Sequence, residues 1–164
     1  MVFRKAEEKD IPDLCRIRKL QLIDEGMQPD TEIDRELDRY FRDRFADRSM
    51  VEWIAEEEGR IIATGAVLFM RFPPSYINPS GMKAYIANVY TAPDYRGQGI
   101  AQDMLARLIG EARERKVSAV WLLTSRPGRP AYRRFGFTES DRLMEYSLEE
   151  PFSEPEEDCV KGEE

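Results

Sequence analysis

The stretch "NVYTAPDYRGQGIAQDMLARLIGEA", Asn88 to Ala112, runs from an apolar, β-like segment through Pro93 to two closely spaced glycines and then directly into a helical pattern. Ile100, Met104, Leu105, Leu108, Ile109 and Ala112 recur at the spacing of one helix face, which predicts an amphipathic helix ending near Lys116. Gly97 and Gly99 stand where the first helical amides lack intrahelical partners and point along the positive end of the dipole. Lacking a Cβ, they either turn the chain sharply or let an anion come close to the main chain. Arg96 adds a cation beside them. The run is neither G-x-x-x-x-G-K-S/T nor G-x-G-x-x-G, so the fingerprints of a nucleotide triphosphate loop and of a dinucleotide fold are both missing.

On either side of this stretch the chain alternates between β-rich and helical segments. "AYIANVYT" before the glycines and the continuous apolar run "SAVWLLT" after the helix both read as strands. Further upstream, "VEWIAEEEGRIIATGAVLFMRF" is two β-rich runs about a Glu-Gly turn, an antiparallel hairpin, and "PPSYINPSG" is a loop. "VFRKA" opens the chain as a short strand. Asp10 then caps a helix with Ile11, Leu14 and Cys15 on one face, and Ile33, Leu37, Tyr40, Phe41 and Phe45 mark a second helix from about Thr31. A short helix near "PAYRRF" and a last strand pair around "GFTES" and "MEYSLE" follow. The order β-α-α-β-β-β-α-β-α-β-β predicts an α/β (α+β) fold, a mixed and mostly antiparallel sheet of about seven strands with flanking helices.

A chain of 164 residues is the size of one domain, here expected over residues 1–149. The net charge of −7 belongs to the acidic remainder, 150–164 with Glu149; without these residues the acidic and basic side chains are equal at 24 each. That segment has the composition of a solvated, disordered tail, and the neutral body offers no electrostatic support for nucleic acid. No run is long enough to span a bilayer and no signal peptide is legible, so no membrane partner and a cytoplasmic location are expected. Two cysteines, Cys15 and Cys159, make no disulfide framework. The absence of histidine removes the commonest general base and metal ligand, so no metal is expected. Acid–base work falls to Tyr, Asp, Glu, Cys, Lys or a water.

"RGQGIA", with "NVYTAPDY" before it and "GRPAYRRFGF" after the helix, resembles the acyl-CoA cradle of the GNAT acyltransferase superfamily, whose pattern Q/R-x-x-G-x-G/A is met by Arg96, Gly99 and Ala101. The resemblance implies acetyl-CoA as cosubstrate, with its diphosphate on the amides of Gly97, Gln98, Gly99, Ile100 and Ala101. It further implies that the strands "AYIANVYT" and "SAVWLLT" splay apart around pantetheine, with Val89, Tyr90 and Thr91 on the cofactor and Val89 the best placed amide for an oxyanion. Tyr132, four residues before Gly136, matches the family tyrosine that approaches the CoA sulfur and would serve as general acid.

Two positions depart from the family pattern. Ser125 stands where many members have a cofactor-contacting asparagine, and no glutamate lies on "AYIANVYT" to act as base. Asn88 is a candidate to hold a water or position the amine, with Tyr85, Glu25 and Glu32 as alternatives. The implied activity is N-acetyl transfer to a primary amine on a small molecule or peptide. A non-catalytic acyl-CoA-binding module is the competing reading, and a homodimer is allowed.

Overall fold

The computed structural model describes residues 1–141 together with Met144 and Tyr146. The expected strand "MEYSLE" and the acidic tail fall largely or wholly outside the described residues. Five strands form one sheet in the order β1 (Val2–Lys5), β2 (Met50–Glu57), β3 (Arg60–Arg71), β4 (Met82–Thr91), β5 (Val120–Trp121). The first three pairings are antiparallel and β4 runs parallel to β5. The sheet is therefore mixed and mostly antiparallel, as the pattern predicts, but with five strands among the described residues rather than about seven. "GFTES" forms no strand, and "SAVWLLT" contributes only Val120 and Trp121 to pairing.

Helices cover both faces. α1 (Ile11–Asp24) and α2 (Asp34–Ala46) pack on one face over Met50, Ile54 and Ala66, burying Ile11, Leu14 and Phe41. α3 (Ile100–Glu114) packs on the other over Ala55, Ala63, Val67, Ala84 and Ile86. Of the six residues its periodicity selects, Ile100, Met104, Leu105, Leu108 and Ala112 are buried and Ile109 is partly buried, because a helix buries the stripe at i, i+4, i+5 and i+8. α4 (Arg129–Phe135) follows β5 and sets Tyr132 and Phe135 against that second core.

At the start of α1, Asp10 makes no side-chain cap on that helix. Instead its carboxylate takes two hydrogen bonds from Arg4, at 2.7 and 2.9 Å, and one from the Glu7 amide, which pins β1 to the helical layer.

Candidate active site

β4 carries a defect at the middle of the sheet. Its register with β3 shifts between Thr64 and Ala66, and Asn88 on the bulged side adopts φ +54, in the left-handed region that asparagine tolerates at roughly 1 kcal/mol. The buried Thr64 hydroxyl donates to the Asn88 carbonyl at 2.8 Å and so satisfies one group the bulge leaves out of the ladder. On its other edge β4 pairs with β5 at only two positions, Ala84 with Val120 and Tyr85 with Trp121, whose rings lie 4.6 Å apart. Beyond Tyr85 the two strands part, so the β4 edge running through Val89 to Thr91 faces no strand among the described residues. The splay expected from the resemblance is present.

The open edge leads to the glycine turn. Gly97 and Gly99 adopt φ +78 and +83, and an added Cβ at either would meet no atom within 4 Å. The glycines are therefore not required by packing; they keep the space in front of the main chain clear. Gly99 is the N-cap of α3 without a side-chain cap, and among the described residues the five amides from Gly97 to Ala101 donate no hydrogen bond. Five consecutive orphan donors at a helix start fit a diphosphate. Arg96 faces elsewhere: it donates to the Thr91 carbonyl at 2.9 Å, pairs with Asp24 at the end of α1, and lies over the Tyr90 ring at 5.9 Å. It fastens the turn to α1. Gln98 donates to the Asp94 carbonyl at 3.2 Å and braces the same turn.

Tyr132 is placed from two sides. Gln102 on α3 donates to the Ala131 carbonyl at 2.9 Å, tying α4 to the cradle helix, and the ring stands edge-on to Phe137 at 5.9 Å. Gly128 lets the ring come close, since a Cβ there would lie 3.2 Å from both Tyr132 Cε2 and Ser125 Oγ. Burial, reinforced by the charge of Glu25 and by Tyr85, pushes the phenol up to about 12, so it holds its proton at neutral pH. Ser125 accepts a hydrogen bond from the Gly128 amide at 3.3 Å, which makes it a brace for the turn into α4.

Asn88 joins a residue that the sequence reading passed over. Its Nδ2 donates to Glu52 Oε2 at 3.3 Å, and the Glu52 side chain, on β2, is only 2 % exposed. Burial drives the Glu52 carboxyl from its ordinary value near 4.5 up to about 8, while the Asn88 hydrogen bond and the charge of Arg18 oppose that rise. The signal lay in the alternation: Glu52 falls between Met50 and Ile54 on the face that β2 buries under α1 and α2. Of the other candidates, Glu32 accepts from the Asp34 amide at 3.1 Å and serves α2. Glu25 accepts from Gln21 Nε2 at 3.0 Å, and buried Gln21 Oε1 has no partner among the described residues, an acceptor awaiting a donor. No cluster of potential metal ligands occurs among the described residues.

The model of the acetyltransferase (GNAT) family matches residues 15–137. A predicted acetyltransferase from Clostridium acetobutylicum, solved with acetyl-CoA, is 51% identical, superposes with a TM-score of 0.87, and the match covers 90% of this chain and 96% of that one. A GCN5-related N-acetyltransferase from Ralstonia eutropha is 26% identical with a TM-score of 0.80, over 89% and 97% of the two chains. Glucosamine-6-phosphate N-acetyltransferase from Arabidopsis thaliana, 23% identical over 90% and 97% with a TM-score of 0.67, shares the fold.

Proposed function

Because this chain belongs to the acetyltransferase (GNAT) family, we propose that it moves an acetyl group from acetyl-CoA to a primary amine by direct attack, with Tyr132 as the proton donor. The five unpaired amides from Gly97 to Ala101 carry this reading, because they form a preorganised anion site at the mouth of the splayed strands. The thioester supplies an electrophilic acetyl carbon and a thiolate leaving group. The chain must hold the diphosphate, meet the pantetheine amides, orient the amine and return a proton to sulfur.

The helix start performs the first task. The open β4 edge, with Val89, Tyr90 and Thr91, offers main-chain groups for the second, since an amide chain satisfies the groups that a missing strand leaves. Tyr132 performs the last: its phenol is protonated at working pH and can share its proton with the sulfur as negative charge develops there. The raised pKa disqualifies it as a resting-state base, so its part is to donate. A binding module has no use for that proton, which favours the enzyme over the sensor reading.

The acceptor class, a small-molecule or peptide amine, rests on the family. Thiol release from acetyl-CoA across a panel of primary amines, with CoA binding followed by calorimetry in parallel, tests the proposal. Amine-dependent thiol release supports it, whereas CoA binding without release by any amine would make the chain a binding module.

A further inference from the structure

Of the three buried acids among the described residues, Asp10 is paired with Arg4 and Glu111 with Lys5, whereas Glu52 has no paired cation and no part in the cradle or at the tyrosine. It meets the Asn88 amide across β3, because Ala66, which pairs with Glu52 on one side and Ala87 on the other, is too small to separate them. Arg18 from α1 lies within electrostatic reach and Tyr40 from α2 feels the Glu52 charge, as it feels Arg18, Arg44 and Tyr85. Lys5, Glu7, Glu8, Arg48 and Arg115 line the groove of about 390 Å³ that reaches Glu52 from the sheet edge. None of these cations pairs with its carboxylate among the described residues. A carboxyl buried with one amide donor and no cation is an expensive feature for a core that Leu or Val would fill more cheaply.

We infer that Glu52 is a positioning residue that sets the orientation of the Asn88 amide, so that its charge decides whether Asn88 presents Oδ1 or Nδ2 to the acceptor amine beside the splayed strands. The inference rests on the function proposed above. An ionised Glu52 only accepts, so it holds Nδ2 and leaves Oδ1 for the acceptor's N–H. A protonated Glu52 donates, the amide turns over, and the site meets the amine with a second donor. The two states differ by one proton on Glu52 and require no other reactant. The site thus favours donor-rich acceptors, amines that enter carrying N–H groups, and does so increasingly as pH rises through the Glu52 titration.

The test uses the full chain as wild type, Glu52→Gln, Asn88→Ala and the double variant. Without any ligand, the side-chain amide resonances absent from Asn88→Ala should shift with pH in the wild type and stay fixed in Glu52→Gln. With an amine that supports thiol release, the ratio of amine KM values, Glu52→Gln over wild type, cancels the substrate's own titration. That ratio should rise from near unity at about pH 6 to about tenfold at about pH 9, as expected for loss of one charge-assisted orientation. Glu52→Gln should add nothing in the Asn88→Ala background, with CoA affinity unchanged throughout. A pH-independent Asn88 resonance, or a Glu52→Gln effect that persists without Asn88, overturns the inference. If no amine releases thiol, the proposed function fails, and the resonance experiment still decides the clamp.

Discussion

Glu52 shows what one side chain can conceal in a sequence. In "MVEWIAEE" it shares a face with Met50 and Ile54, but Val51, Trp53 and Ala55 make the opposite face equally apolar, so the alternation does not say that both faces are covered. Only the packing of α1 and α2 on the Met50 and Ile54 side makes it buried. Tyr132 was legible because its spacing to Gly136 carries it, and the structure adds the burial that raises its pKa further. Ser125 was legible as a position but not in its contact. Its Oγ accepts from the Gly128 amide, so Ser125→Ala should cost about 1 kcal/mol of stability in urea unfolding, the usual size of a lost turn-capping bond, with little change in CoA affinity. A large loss of CoA affinity with unchanged stability would instead assign the hydroxyl to the cofactor.

At the scale of elements, the helix α3 and the β2–β3 hairpin followed directly from periodicity and a Glu-Gly turn, both local signals. The bulge at Asn88 and the parting of β4 from β5 did not, because a register shift is a property of two strands and leaves no mark in either alone. β5 shows the same limit: a seven-residue, largely apolar run predicted a long strand, yet only two residues pair, since the splay removes the partner. The cradle makes a prediction of its own. Gly99→Val puts a branched side chain at φ +83, costing roughly 1–2 kcal/mol, in space that is otherwise open. The protein should fold with a lower Tm and lose CoA affinity by at least about tenfold, because the valine occupies the approach to the amides. Unchanged affinity by calorimetry in the folded variant would remove the diphosphate from this turn.

The whole molecule registers Glu52 through pH. Its folded pKa, about 8, lies above the ordinary value of 4.5, so its contribution to stability is fully present below about pH 4.5 and is lost as pH rises to about 8. Glu52→Gln abolishes that loss, and the variant should gain on the wild type across this window by an amount on the order of 3–5 kcal/mol, read from urea unfolding at the two ends. Parallel stability curves would mean that the carboxyl titrates as if exposed. The acidic segment from Pro151 to Glu164 is proposed to have no part in catalysis, and its deletion should leave turnover within about twofold. A larger loss would place it in the reaction. The molecule as a whole is read as an acetyl-transfer enzyme whose proton donor is Tyr132, and the most direct measurement is the kcat of Tyr132→Phe with an amine that supports thiol release, alongside its CoA affinity. A fall of about 10²- to 10⁴-fold in kcat with CoA binding nearly unchanged is expected, the usual contribution of a general acid; near wild-type kcat would contradict that role and leave Tyr132 a packing residue of α4.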